Sequence, residues 1–406
     1  MGKPEDKKAT KRDKEAVERE LKELRGFVEG LKLEDLKDGS WFDKLLSHAL
    51  GTYSQKVNAE YFREKYPHLP TESVVQARIE LASKYAMIEG GLSSGAYTMA
   101  VATTIGTRGG ASPITAVAGG TAFVVDMAYL SQLQVRLAYD ISVLYRVPID
   151  LDDPDDLWKL IRIAFSIKVG EGAGLLAVKG VPAVVRPLVK KFYSGGLLAA
   201  ARTIPHVGKY LLQRNVIKFA IPVVGIPATV AMNYWTTRTT GRQAQALLHT
   251  EAWLIEKAGR IVEDNSDLVE LLWAMWMTMN ADGTTTENQR TLLHHVTVGA
   301  KERGVSEDDL SELRNVIEVD EEETWTRISA VENLEPIYDA AVTVATVNGD
   351  PSDASLLVLE RMATIGDIEF DAAAIKSHAT KWKPRRGTGK KPNEQTPHKT
   401  NSPRES

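Results

Sequence analysis

Apolar positions recur at threes and fours along most of this chain, and that spacing predicts helices. Between 27 and 70, Phe27, Leu31, Leu33 and Leu36, then Trp41, Leu45, Leu46 and Leu50, mark short helices. Residues 71–90 form a clearer one: Thr71 suits the N-cap, Glu72 the first turn, and Gly90-Gly91 the stop. From Thr121 to Val147, the series Phe123, Met127, Leu130, Leu133, Leu137, Ile141 and Leu144 predicts one long helix that Pro148 ends. The carboxylates Asp150, Asp152, Asp153, Asp155 and Asp156 favour the N-terminus of a further helix starting near Leu157. Strand signals are few. The pairs Val184-Val185 and Val223-Val224 sit in apolar segments broken by Pro and Gly, which read as interrupted helices. The expected fold class is all-α.

Charge divides the chain more sharply than the net value of -4 suggests. Residues 1–26 are a charged N-terminal arm, expected to be a frayed helix or disordered. Residues 172–250 contain no Asp or Glu but ten basic residues: Lys179, Arg186, Lys190, Lys191, Arg202, Lys209, Arg214, Lys218, Arg238 and Arg242. Residues 251–380 invert the sign, with 27 acidic against 9 basic residues, a balance of -18. The tail 381–406 is basic, rich in Pro and without apolar periodicity, and is expected to be disordered. Cysteine is absent, which excludes disulfides and thiolate metal sites and fits a cytoplasmic location. The charged start carries no apolar signal-peptide core.

A membrane span needs about 20 mostly apolar residues. Phe219 to Met232 is shorter and holds Pro222 and Pro227, and Pro113 to Val125 is stopped by Asp126. Such segments suit a buried core or an interfacial helix. Eight of the cations, from Lys179 to Lys218, are candidate contacts to anionic lipid, worth about 1 kcal/mol each near the surface.

Catalytic motifs find little support. No Walker-type phosphate loop occurs, and the dispersed histidines, including the adjacent pair His294-His295, lack metal-ligand spacing. Gly91-Leu92-Ser93-Ser94-Gly95 matches a nucleophile elbow in letters only, because a helix rather than a strand precedes it. A nucleic-acid role is disfavoured, since no recognised motif accompanies the basic stretch. Asp126 and Asn233 stand out as polar groups inside apolar helices, where an unpaired group is costly. Either Asp126 pairs with Arg136, Arg238 or Arg242 or caps a helix, or it serves a ligand.

Two stretches resemble known families. Gly119 to Asp126, followed by Leu130, Leu133, Arg136 and Tyr145, is similar to the EcsC family, as is the later run Val223-Val224-Gly225, Asn233-Tyr234, Arg238 and Gly241 to Ala244. Met127 stands where that family usually has proline after the Asp. The resemblance implies an EcsC-like domain over 71–255 and association with membranes. Leu271 to Met275, Ala281-Asp282-Gly283 and Glu287 resemble the TerB-like, tellurite-resistance type of helical domain, placed at 262–380. A second copy of the theme, Gly349-Asp350-Pro351-Ser352-Asp353, carries Ser355 where the pattern has Glu. Asp282 and Glu287 are open to two readings, helix capping or a divalent cation.

The expectation is a peripheral, non-enzymatic protein on the inner face of the cell membrane. It would bind anionic lipid or a membrane protein complex and recruit protein partners through the acidic domain. The domain pairing suggests an envelope, stress or antiphage role by analogy. Two alternatives stay open: an enzyme with a site around Asp126, or a self-inhibited lipid binder masked by its own acidic lobe.

Overall fold

The structure is a computed structural model that describes residues 10–32, 34–35, 40–106, 113–165, 226–306, 308–310 and 321–381. These residues are helical and contain no strand, so the protein is all-α.

The first lobe is built on three long helices: α4 (Thr71–Gly106), α5 (Pro113–Tyr145) and α7 (Ile226–Asp264). At 1.5 Å per residue, α4 and α5 run about 50 Å and α7 nearly 60 Å. Arg78 meets Asp140, and Glu72 meets Tyr145, so α4 and α5 are antiparallel. Gln76 meets Gln245 at 2.7 Å and Glu89 meets Asn233, so α7 also runs antiparallel to α4. Around this trio pack α1 (Lys11–Glu29), α2 (Trp41–Lys56), the short α3 (Ala59–Lys65) and α6 (Pro154–Phe165).

Several expected boundaries move. The N-terminal arm is not frayed beyond Thr10: α1 starts with a capping box in which Thr10 and Asp13 satisfy each other's backbone N–H groups. Val17, Leu24 and Val28, one or two turns apart, bury its apolar stripe in the first core. Helix α4 does not stop at Gly90-Gly91 but continues to Gly106. At Gly90 a side chain would come within 2.8 Å of the Asn233 amide, so this glycine permits close approach of α7 rather than a turn. Helix α5 begins at Pro113 and α6 at Pro154, each with proline where a helix N-terminus has no N–H to lose. Residues 166–225 and 382–406, which include the interrupted apolar segments and the basic tail, lie outside the described residues.

The second lobe comprises α8 (Leu268–Asn280), α9 (Glu287–Glu302), α10 (Glu321–Ser329), α11 (Glu335–Thr346), α12 (Asp353–Ile365) and α13 (Ala372–Lys381). Its core is carried by Leu271, Leu272, Met275, Leu292, Ile337 and Leu359. No loop separates the lobes. Helix α7 gives Ala244 and Leu248 to the first core and Leu254, Ala258 and Val262 to the second. The division expected between 255 and 262 therefore lies within one continuous helix, and it is a change of packing partner rather than a linker.

Close packing along α7 yields a stability contrast. A Cβ at Gly241 would lie 3.0–3.1 Å from Leu137 on α5 and Ile79 on α4, whereas Gly259 faces open space. Gly241→Ala should therefore lower stability by about 1–3 kcal/mol through overpacking. Gly259→Ala should raise it by up to about 1 kcal/mol through helix propensity. Urea unfolding of the two variants should move the midpoint in opposite directions, and a common direction would contradict this packing.

Candidate functional site

The long three-helix core carries two buried polar clusters at different heights. In the upper one, Asn233 on α7 donates through Nδ2 to the Glu89 carboxylate on α4 at 3.2 Å, and both side chains are buried. Asp126 on α5 is buried as well, one turn before Tyr129. Burial pushes the Tyr129 phenol pKa up, and Glu20 and Glu89 push it the same way, which places Tyr129 near Glu89. Above this level, residues 90–106 of α4 and 113–125 of α5 contain no charged residue.

The lower cluster was not singled out in the sequence. Arg78 of α4 donates to Asp140 of α5 through Nε at 2.8 Å and through a terminal nitrogen at 2.6 Å. Tyr53 of α2 donates to the other Asp140 oxygen at 2.7 Å. Burial opposes both charges. At Arg78 the adjacent carboxylate more than restores the balance, and the guanidinium pKa is raised. Both Arg78 donors converge on one carboxylate oxygen, Oδ2, while Tyr53 takes Oδ1, and these charge-assisted bonds tie α4, α5 and α2 to one another. Beside it opens a cavity of about 210 Å³, whose walls include Glu20, Tyr53, Lys65, Arg78, Arg136 and Asp140.

The sequence-selected polar residues do not meet in one place. Arg136 lies in the lower cluster, donating to the Ala49 carbonyl at 2.8 Å, 3.9 Å from Glu20 and 4.8 Å over the Tyr53 ring. Arg238 is 3.5 Å from Glu80 and stacks on Tyr234. Arg242 is exposed, so it is not part of a polar core. Of the ten cations between 172 and 250, Arg238 and Arg242 are described. The lipid-binding candidates Lys179, Arg186, Lys190, Lys191, Arg202, Lys209, Arg214 and Lys218 lie outside the described residues. Near Arg238 on α7, Trp235 is 67% exposed and Met232 43% exposed, with Leu92 of α4 also exposed.

In the second lobe the two glycine turns come together. Gly283 (φ 73°) and Gly349 (φ 126°) adopt backbone conformations that favour glycine. Asn288, just after the first turn, donates to Asn348, just before the second, at 2.9 Å. Asp282 accepts from the Thr284 backbone N–H at 2.9 Å and from its hydroxyl at 2.7 Å, and these bonds hold its carboxyl below the usual range. Thr286, not Asp282, caps α9, in a capping box with Gln289. Glu287 pairs with Arg162 of α6 at 2.6 Å. Both carboxylates proposed for a cation thus have protein partners. Among the described residues no group of three or more His, Asp or Glu is arranged to hold a metal ion. A surface recess of about 400 Å³ in this lobe is walled by Glu332, Glu335, Asp367 and Glu369, with no basic residue in its lining.

The Arg162–Glu287 pair belongs to a junction between the lobes. Glu251, buried on α7, forms an ion pair with Lys159 of α6 and lies 3.6 Å from His295 of α9. Burial alone would raise the Glu251 carboxyl, but His295 and Lys159 outweigh it and the pKa is lowered. His294 beside it is pushed down to about 4 by burial, His295 and Lys159. The G-x-S-x-G match lies wholly within α4, with helix on both sides, which is not the strand–turn–helix setting of a nucleophile.

Arg78, Asp140, Tyr53, Lys159 and Glu251 escaped the sequence reading because their partners lie tens of residues away. Asp140, adjacent to the apolar Ile141, carried the one usable signal: a second carboxylate, after Asp126, in an otherwise apolar helix stripe. No family model, curated protein or solved structure matches the chain.

Removing Asp140 leaves a buried guanidinium without its counter-charge, so Asp140→Ala should cost about 3–5 kcal/mol. Tyr53→Phe, which removes one hydrogen bond to a charged group, should cost about 1.5–3 kcal/mol. Equal losses in urea titrations would contradict the ranking. His294 supplies a pH prediction. Its folded pKa of about 4 lies below the ordinary 6.5, so the unfolded chain binds more protons between those values. The neutral imidazole's share of stability is therefore intact above about pH 6.5 and declines as pH falls toward 4. His294→Gln should flatten that decline in thermal melts, and an unchanged slope would count against it.

Proposed function

We propose that this chain is a peripheral, non-enzymatic membrane-surface and interaction protein. On this reading an EcsC-like first lobe meets anionic lipid or a membrane complex on the inner face of the cell membrane, and a TerB-like acidic lobe recruits partners. The observation that carries it is a pair of charge-free helical stretches in α4 and α5, whose connection, residues 107–112, holds a single charge, Arg108. Beyond Glu89 and Asp126, 17 helical residues of α4 (90–106) and 13 of α5 (113–125) hold no charge. They represent roughly 25 Å and 20 Å of helix. Trp235 and Met232 stand exposed on the adjoining turn of α7. Tryptophan favours the membrane–water boundary, because its ring is apolar and its N–H is not.

Charge supports the same reading. The stretch that leads into α7 lacks any carboxylate through residue 250, and anionic lipid attracts such segments. No helix among the described residues is long and apolar enough to cross a membrane, so the reading is of surface contact or shallow entry. The enzyme alternative has less to rest on, because Asp126, Arg136, Asn233 and Arg242 are divided among two buried clusters and the surface. An envelope, stress or antiphage role stays an analogy from the pairing of lobes.

Flotation with vesicles containing phosphatidylglycerol should recover the protein at low salt and less of it at high salt, as screening shortens the reach of the cations. Replacing both Met232 and Trp235 by Ser should weaken vesicle affinity by at least about a hundredfold, since each apolar side chain contributes about 1.5–3 kcal/mol on full burial and about 1.4 kcal/mol is a factor of ten. Protein that stays unbound to these vesicles at low salt would remove the reading.

A further inference from the structure

The cavity beside Arg78 and Asp140 is not used by the membrane reading and has a chemistry of its own. Four helices and α2 converge on it: α1 brings Glu20, α2 Tyr53, α3 Tyr61 and Lys65, α4 Arg78, and α5 Arg136 and Asp140. Arg78 and Asp140 neutralise each other through two hydrogen bonds, and Tyr53 completes the carboxylate. They make a rigid back wall without net charge.

Two further cations reach the same space. Lys65 Nζ donates to the Tyr61 hydroxyl at 2.5 Å and lies 4.9 Å from the centre of that ring. Arg136 donates Nε to the Ala49 carbonyl at 2.8 Å and stacks 4.8 Å over Tyr53. An ammonium has three N–H donors and a guanidinium five, so both keep donors beyond those bonds. Contact with aromatic rings holds each cation in place and lowers the entropy lost when a ligand arrives. Glu20 is the other acid in the lining, 3.9 Å from Arg136, beyond hydrogen-bonding range. Burial raises its carboxyl pKa, so it gives up its charge more readily than an ordinary glutamate.

We propose that this cavity is a binding site for a small oxyanion of the phosphate or phosphate-monoester class, held between Lys65 Nζ and the Arg136 guanidinium against the Tyr53 and Tyr61 phenols. With Glu20 set against Lys65 and Arg136, the lining keeps one positive charge in excess, which favours an anion, and the planar fork of Arg136 suits tetrahedral oxygens. Size limits the ligand: about 210 Å³ lies below the roughly 300 Å³ of a drug-sized pocket, which leaves room for the phosphate and a short substituent. A soluble phosphate and a lipid headgroup share this chemistry.

Titration calorimetry of the full chain at fixed ionic strength tests the site without any bilayer, so its outcome is separable from vesicle flotation. Two probes are used, inorganic phosphate and dihexanoyl phosphatidic acid below its micelle concentration. Binding of inorganic phosphate assigns the site to a soluble anion, and binding of the short-chain lipid alone assigns it to a headgroup. In either case Lys65→Gln and Arg136→Gln should each weaken binding about tenfold or more, as expected for one charge-assisted hydrogen bond. Arg260→Gln, an exposed change whose partner Glu256 is one turn away, should leave binding unaltered. Lys65 is exposed at the cavity mouth, so its variant keeps the fold and carries the test if Arg136→Gln unfolds. Absence of heat with both probes at millimolar concentration overturns the proposal, as does undiminished binding by Lys65→Gln.

Discussion

Contact between α7 and the α4–α5 pair is the constraint on which the rest of the molecule depends. It is made at helix faces where side chains are small or absent. Gly241 brings the α7 backbone against Leu137 and Ile79, and Gly90 brings α4 against Asn233. A helix approaching that closely excludes water from the polar groups it covers. The buried groups must then be paired within the protein, as Glu89 is with Asn233. The packing thus fixes the spacing of the three long helices and the pairing of Glu89 with Asn233.

The same helix joins the lobes. A continuous α7 contributes side chains to both cores without an intervening loop. At the crossing point, Glu251 is held by Lys159 and faced by His295, while Arg162 reaches across to Glu287. Opposite charges therefore meet where α6 adjoins α7 and α9. The cations here come from α6, before the carboxylate-free stretch, so the junction is held by pairs separate from that stretch.

Buried polar clusters and charge-free helix are segregated along the first lobe. Polar clusters occupy the levels of Asp140 and of Glu89, and the helix ends beyond them carry no charge. The charge-free helical stretches are the part proposed to meet a bilayer, and the cavity at the lower level is the part proposed to take a small anion. The two proposals use different residues and different physical forces, hydrophobic burial in one and charge-assisted hydrogen bonding in the other.

Periodicity alone determined that this protein is helical, since spacings of three and four give an apolar stripe in no other regular structure. Composition alone determined the sign change between the lobes. Helix ends were less legible. Gly90-Gly91 reads as a stop on local grounds, yet packing against Asn233 turns it into a point of close approach, a fact about a residue more than 140 positions away. The charged arm reads as disordered until a core receives Val17, Leu24 and Val28. Asp126 and Asn233 were visible as polar groups among apolar neighbours, but their level in the bundle was not. The pairing of Arg78 with Asp140, and the meeting of Lys65 with Arg136 at one cavity, were decided by tertiary structure. Charge pairing depends on distance in space, and separation along the chain carries no information about it once helices pack antiparallel.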